Sequence, residues 1–168
     1  MANPQHVEWL REGVESWNRR RENTPFTPDL SGVNFQDLFT RIRRFQYQDG
    51  DEKYYTLNVQ DTDLDGINLS NANLSGATLS YLRFKDANFR AAELINADFA
   101  FSKFFTSDFS LADFSGANLN LALLHEANLR GANFQNTYVR GAILEGSDVA
   151  SYVSTDFQVT PRVRIHNQ

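Results

Sequence analysis

Residues 112–136 read ADFSG ANLNL ALLHE ANLRG ANFQN, five blocks in which a large apolar residue returns at every fifth position. The same spacing continues without a slip over 19 consecutive blocks. The block centres are Val59, Leu64, Leu69, Leu74, Leu79, Phe84, Phe89, Leu94, Phe99, Phe104, Phe109, Phe114, Leu119, Leu124, Leu129, Phe134, Val139, Leu144 and Val149. A period of five is neither the 3.6 of a helix nor the 2 of a plain strand. The pattern therefore predicts a repeat structure in which every block adopts the same local shape.

The residues around each centre divide into inward and outward positions. Two residues before the centre the chain carries Ala, Ser or Thr, except at Leu57, Ile67 and Leu82. Alternate residues of an extended segment point the same way, so this small residue and the centre both face inward. The residue between them, usually Asn or Asp, faces water. Gly recurs two residues after the centre, where it suits a tight turn. Four such sides close a square coil of 20 residues.

Stacked coils bring residues 20 apart in sequence into register, with a spacing of about 4.8 Å. This register predicts ladders of aromatic rings inside the coil. The predicted pairs are Phe84 with Phe104, Phe89 with Phe109, and Phe114 with Phe134.

The blocks ANLSG (72–76), ANFRA (87–91), ADFSG (112–116), ANLRG (127–131) and ANFQN (132–136) resemble the motif of the pentapeptide-repeat family. The resemblance covers Leu57 to Ser151, with an earlier piece at Pro28 to Asp37. It implies an all-β solenoid, the right-handed quadrilateral β-helix, and the handedness is implied by the family alone.

The chain is expected to divide into three parts. Residues 1–27 form an N-terminal α-helical cap, 28–156 form the β-helix, and 157–168 form a C-terminal tail or second cap. The cap helix is predicted over residues 4–22, with Asn3 as N-cap and Pro4 at the first helical position. Its apolar face carries Val7, Leu10, Val14 and Trp17. An open coil needs a cap because it exposes a strand edge, and the segment resembles the helical lead-in of bacterial family members.

The repeat is interrupted at about residues 41–56, where an inserted loop is predicted. This loop is rich in aromatic residues: Phe45, Tyr47, Tyr54 and Tyr55. Loops that interrupt a regular scaffold often carry recognition. The alternative is a hairpin that lies on the coil and packs its own rings.

Several outward positions carry apolar residues and form a second candidate interaction surface. The register of 20 stacks Tyr81, Phe101 and Leu121 on one corner. The following side presents Phe105, Leu123 and Ile143 beside Arg83, Lys85 and Lys103. A contiguous exposed apolar strip usually marks an interaction surface. Three occupants are possible: a second copy of the chain in a homodimer, the loop or tail folded back, or a different protein.

Composition and motifs argue against most chemistry. The chain has no cysteine and a net charge of −5, so neither thiolate metal sites nor direct nucleic-acid binding is expected. The segment Asp61 to Gly66 resembles the opening of a calcium EF-hand loop, but its twelfth position is Ala72 rather than Glu. No catalytic, metal or cofactor-binding residue is predicted. No signal peptide or membrane span is found, and a cytoplasmic protein is expected.

Three functions are compatible with these features. The first is a non-catalytic protein-interaction scaffold that binds a partner or itself. The second, implied by the family resemblance, is a DNA mimic that modulates DNA gyrase and gives quinolone-type resistance. The third is a repeat domain of a larger effector protein.

Overall fold

The five-residue blocks wind into a coil with four sides. The structure, a computed structural model, describes residues 1–39, 41–46, 52–57 and 62–148. Parallel bridges join residues 20 apart, as in the series Asn68, Asn88, Asp108 and Asn128. This is the predicted register, so each side of a coil lies on the same side of the next.

We name the four sides by the centres that stack on them. Face A carries Phe35, Leu79, Phe99, Leu119 and Val139. Face B carries Leu64, Phe84, Phe104, Leu124 and Leu144. Face C carries Leu69, Phe89, Phe109 and Leu129. Face D carries Leu30, Leu74, Leu94, Phe114 and Phe134. The chain runs D, A, B, C through each coil, so coils 1 to 5 begin with the successive centres of face D.

Each side is a short extended segment closed by a turn. In the block around Leu74, the Ala77 N–H donates to the Leu74 carbonyl at 3.0 Å, and Gly76 between them has φ 67°. The Asn73 side chain accepts the Ser75 N–H at 3.0 Å. Asn or Asp before the centre thus supplies an acceptor for a turn amide that has no partner in the ladder.

The inward residues fill the coil completely, and the predicted aromatic ladders are present. Phe84 stacks on Phe104 with centroids 5.2 Å apart, Phe89 on Phe109 at 4.7 Å, and Phe114 on Phe134 at 5.0 Å. The inward hydroxyl groups bond to the backbone, for example Ser107 Oγ to the Phe84 carbonyl at 2.6 Å. Buried polar groups of this kind cost little because they are paired.

The first coil is built from two separate parts of the chain. The period of 20 places Val59 under Leu79, but the bridge Asn34↔Thr78 puts Phe35 there instead. The Phe35 N–H donates to the Thr78 carbonyl at 2.9 Å. Val59 itself lies outside the described residues. The assignment of Val59 as the first regular centre therefore stays a prediction, and the place under Leu79 belongs to Phe35.

The insertion leaves the coil at a defined corner. Phe35 on face A is also the first residue of the short helix α3 (Phe35–Phe39), and the coil resumes on face B at Leu64. Between them β1 (Arg41–Gln46) and β2 (Glu52–Leu57) pair antiparallel. Then β3 (Thr62–Asp63) pairs parallel with β4 (Leu82–Arg83) of the next coil. The hairpin thus emerges at the corner between faces A and B.

The N-terminal segment forms two helices rather than the one predicted over 4–22. They are α1 (Pro4–Arg11) and α2 (Val14–Asn23). The break lies at Gly13, whose φ of 96° is outside the helical region. Leu10 and Trp17 are nonetheless both fully buried against the core. Among the helices of the described ranges, none is long and apolar enough to cross a membrane.

Helix α2 covers the open edge of face C in the first coil. Asn18 Oδ1 accepts the Asn68 N–H at 2.8 Å, and Trp17 Nε1 donates to the Asn68 carbonyl at 2.7 Å. Arg21 Nη2 donates to the Ser70 carbonyl at 2.6 Å. These side chains replace the strand that a preceding coil would supply, which closes the edge to association.

Helix α1 does the same for face D. The Asp29 N–H donates to Nδ1 of His6 at 3.0 Å, and the Asp29 carbonyl accepts the Asn3 N–H at 3.0 Å. His6 is buried and packs against Phe26. Burial lowers the pKa of His6, and the neighbouring Asp29 opposes this only in part. The imidazole accepts through Nδ1 only when it is neutral at that atom.

We predict that the free energy of unfolding falls as pH is lowered below about 6.5, the unfolded pKa of histidine. The folded pKa of His6 lies below this value, so the unfolded chain binds more protons in that window. A His6→Gln variant keeps an acceptor for the Asp29 N–H but takes no proton, so its profile should be flatter. Urea unfolding from pH 8 to pH 5 measures both. Identical slopes in the two proteins would contradict the assignment.

Candidate functional site

The corner between faces A and B, which we call the AB corner, carries a ladder of exposed apolar side chains. Tyr81 stacks on Phe101 with centroids 4.8 Å apart and planes 7° from parallel. Leu121 continues the ladder and leans over Gly141, since a Cβ at Gly141 would lie 2.7 Å from Leu121 Cδ2. The exposed fractions of Tyr81, Phe101 and Leu121 are 43%, 43% and 48%. The structure thus brings together the three corner residues that the sequence singles out.

The backbone at this corner is of a kind that bulky residues avoid. Tyr81, Phe101 and Leu121 have φ of 60°, 62° and 60°. The left-handed region costs an L-residue roughly 1–2 kcal/mol. At the corner between faces D and A the same left-handed positions are occupied by Gly or Asn, namely Gly76, Asn96, Gly116 and Asn136. The coil therefore does not require large apolar residues at the AB corner.

Face B departs from the block motif in its outward column. On face C the residue before each centre is always Asn or Asp: Asn68, Asn88, Asp108, Asn128 and Asp148. On face B the same column reads Asp63, Arg83, Lys103, Leu123 and Ile143. Leu123 and Ile143 are only half-exposed, and they stack on each other through the bridge that joins their backbones.

This departure removes hydrogen bonds. On face C the amides of Ser110 and Arg130 donate to the side chains of Asp108 and Asn128 at 2.9 and 3.2 Å. Within the described ranges, the amide of Phe105 on face B has no such acceptor. Asp63 and Asp65 still accept the turn amides of the first two coils of face B, so the contact is given up in its apolar part.

The residues that follow the face B centres form a second outward column. From coil 1 to coil 5 it reads Asp65, Lys85, Phe105, His125 and Glu145. The Phe105 and His125 rings stack with centroids 5.2 Å apart. In the described part of the chain, Nδ1 of His125 is buried and makes no hydrogen bond. The middle of the face is therefore apolar and aromatic.

Charge varies along the coil axis on face B. Asp63 and Asp65 lie in the first coil, and Arg83 of the second coil contacts both, with a distance of 2.9 Å to Asp65. Lys85 is exposed and lies 3.8 Å from Asp86 at the next corner. Glu145 is exposed in the fifth coil. The face therefore has a basic zone near one end, an apolar middle and a carboxylate at the other end.

The aromatic insertion adjoins this surface in the chain topology. The hairpin of β1 and β2 leaves the coil at the AB corner, directly before the first block of face B. Its pairing places Phe45 opposite Lys53, Arg44 opposite Tyr54, and Arg43 opposite Tyr55. The side chains of Phe45, Tyr54 and Tyr55, and the whole of Tyr47, lie outside the described part.

Three further exposed apolar residues were missed from sequence: Leu111, Ile95 and Tyr138. Leu111 lies at the corner between faces C and D with φ 63° and 56% exposure. The spacing of 20 residues per coil, which identifies Leu121 as a corner residue, also identifies Leu111 as one. The neighbours of Leu111 on its own corner are Ala91 and Gly131. Leu111 therefore forms no ladder of large apolar side chains, whereas Leu121 continues the stack of Tyr81 and Phe101.

The described ranges contain no group of three His, Cys, Asp or Glu side chains that could hold a metal ion. The inward side chains of the coil are apolar or small, and those of Ser and Thr are bonded to backbone. What the surface offers is shape, apolar area and a pattern of charge.

Comparison with known proteins agrees with this architecture. The family model for pentapeptide repeats matches residues 58–90, 72–110 and 107–146, more than half of the chain. Solved pentapeptide-repeat proteins form right-handed quadrilateral β-helices, and this chain has that fold. Among curated proteins, none matches.

Solved structures of this kind resemble part of the chain. HetL from the cyanobacterium Nostoc sp. strain PCC 7120, involved in heterocyst differentiation regulation, is 31% identical with TM-score 0.51 over 53% of this chain and 41% of HetL. A pentapeptide repeat protein from the Arabidopsis thaliana thylakoid lumen is 32% identical with TM-score 0.49, over 51% of this chain and 60% of its own. QnrB1, a plasmid-mediated fluoroquinolone resistance protein, is 20% identical with TM-score 0.28, over 51% of this chain and 59% of QnrB1. The chain thus spans less than two thirds of each of these structures.

We predict that Leu121→Gly changes the free energy of unfolding by less than about 1 kcal/mol. The loss of half-exposed apolar contact is offset by relief of the left-handed backbone. Leu124→Ala, at the fully buried centre of the same block, should lower it by about 2–5 kcal/mol. Urea unfolding at low protein concentration measures both. Equal losses would mean that the AB corner is part of the core.

Proposed function

This chain belongs to the pentapeptide-repeat family, and on that premise we propose that it is a non-catalytic protein-interaction scaffold. Its binding surface is face B together with the AB corner. The aromatic hairpin that leaves the same corner extends that surface.

The AB corner carries the proposal. Tyr81, Phe101 and Leu121 are exposed, and each occupies a left-handed backbone position that Gly or Asn would fill at lower cost. A monomer gains little from them, since the coil forms equally well with Gly and Asn at the corner between faces D and A. Large apolar residues kept exposed in a strained backbone are accounted for by contact with another molecule.

The column before the face B centres supports the same assignment independently. Asn and Asp stabilise the turn at that position on face C, whereas Leu123 and Ile143 cannot. Two separate positions of the block therefore depart from the motif on one side of the coil. A rigid, filled coil holds such a surface in one shape, which lowers the entropy lost on binding.

The charge distribution lends no support to gyrase modulation by DNA mimicry. Between residues 63 and 148, faces A, B and C each carry as many basic as acidic side chains. A duplex presents one phosphate for about every 1.7 Å of its axis, so a mimic needs continuous acidic rows. Only face D and the corner between faces B and C have an acidic excess, formed by Glu93, Asp113, Asp86 and Glu126.

We predict that proteins captured by the wild-type chain are lost with Leu121→Asp and retained with Leu111→Asp. Both leucines lie at corners with positive φ, at 60° and 63°, and each leans over a glycine of the next coil. Leu111 is thus a matched control on another corner. Quantitative mass spectrometry of the captured proteins, this chain included, followed by binding assays with purified components, provides the measurement.

Equal binding by the two variants would place recognition elsewhere and overturn the proposed surface. Loss of binding by both, with circular dichroism unchanged, would have the same effect, because the AB corner would then have no special role.

A further inference from the structure

We infer that the partner of this surface is a second copy of the chain, packed antiparallel on face B about a two-fold axis between the third and fourth coils. The inference rests on the proposed function, since it uses the same surface. It adds the identity of the partner, its antiparallel orientation, and which coils of the two copies lie opposite each other.

Two-fold symmetry limits how face B can meet itself. An axis that lies in the interface and crosses the coil at right angles keeps each column opposite itself and reverses the order of the coils. With the axis between coils 3 and 4, coil 2 lies opposite coil 5 and coil 3 opposite coil 4. The corner ladder then meets its own copy, with Phe101 opposite Leu121.

This register pairs Lys85 with Glu145 and ring with ring, and it places Arg83 and Lys103 opposite Ile143 and Leu123. Lys85 in coil 2 comes opposite Glu145 of the second copy, and both side chains are exposed in the single chain. Phe105 comes opposite His125 of the second copy, next to the Phe105–His125 stack within each chain. Symmetry makes every contact occur twice.

Registers with the axis nearer coil 1 bring like charges together or leave apolar surface uncovered, and an axis through coil 4 places Glu145 opposite Phe105 rather than opposite Lys85. An axis through coil 3 places Lys103 opposite its own copy and Asp65 of coil 1 opposite Glu145. An axis between coils 2 and 3 places Arg83 opposite Lys103. An axis closer to coil 1 leaves Leu123 and Ile143 uncovered. The proposed register alone among these joins the apolar middle of both copies and also pairs Lys85 with Glu145.

The area of face B also assigns a role to the hairpin. Four coils at about 4.8 Å and a side of about 10 Å give about 200 Å² of face per copy, while a stable interface needs about 800 Å² per partner. The hairpin of β1 and β2 leaves the coil at the edge of this interface. The remaining area of the proposed dimer is assigned to the hairpin, because it leaves the coil at the end of face B.

A charge exchange tests both the partner and the register. Sedimentation equilibrium of the wild-type chain should give a dimer. Lys85→Glu and Glu145→Lys should each raise the dimer dissociation constant at least about tenfold, because each creates two like-charge contacts. The double variant restores both pairs and should return to within about threefold of wild type. Arg130→Glu on face C, whose ion pair with Asp148 is internal, is the control and should leave the constant unchanged.

The absence of cysteine from the chain allows a second test that does not depend on charge. A mixture of Lys85→Cys and Glu145→Cys chains should form a disulfide-linked dimer under mild oxidation. Neither variant alone should do so, because the register keeps like positions apart.

A wild-type chain that stays monomeric at several hundred micromolar overturns the inference. If Leu121→Asp still abolishes capture of another protein in that case, the scaffold stands and its partner is different. If the chain dimerises but single and double charge variants behave alike, the antiparallel register is wrong. If the hairpin or tail of the same chain covers face B, deletion of residues 41–56 or of 157–168 should convert a monomer into a dimer, which also overturns it.

Discussion

Backbone hydrogen bonds between successive coils determine where every side chain of this protein points. The Leu69 N–H donates to the Asn88 carbonyl at 2.7 Å, and the Asn88 N–H donates to the Ile67 carbonyl at 2.9 Å. Repeated on four sides, these bonds hold the coil to a period of 20 residues. One large and one small residue per side then fill the interior. The outward positions are left free of packing constraints, apart from the turn acceptor and the corner residue.

The same hydrogen-bonding requirement explains the N-terminal helices. A first coil has donors and acceptors with no strand below them, and buried or edge-exposed backbone groups are costly or promote association. Trp17, Asn18 and Arg21 meet this demand on face C, and His6 meets it on face D. The cap is thus a set of side-chain substitutes for one missing coil, rather than an apolar lid alone.

The fold could be predicted from sequence because inward positions repeat in identity as well as spacing. The stacks of Phe84, Phe89 and Phe114 follow from counting alone. The failures have physical causes. Gly13 breaks the helix because its φ of 96° lies outside the helical region, which the apolar periodicity of the segment does not indicate. The position under Leu79 is occupied by Phe35 through the bridge of Asn34 to Thr78, and the count of 20 residues cannot show this because it points to Val59. The apolar surface residues could be located by the same count, but not the hydrogen bonds that face B gives up.

The central claim is that face B and the AB corner are shaped by contact with a second copy rather than by the needs of the coil. Residue-resolved amide exchange by NMR over a range of protein concentrations tests it most directly. The Phe105 amide, which has no acceptor within the described ranges, should exchange rapidly in dilute solution and become protected as concentration rises. The Ser110 amide, bonded to Asp108 at 2.9 Å on face C, should exchange at a constant rate. Protection of Phe105 that does not change with concentration, or that changes equally for Ser110, would contradict the account.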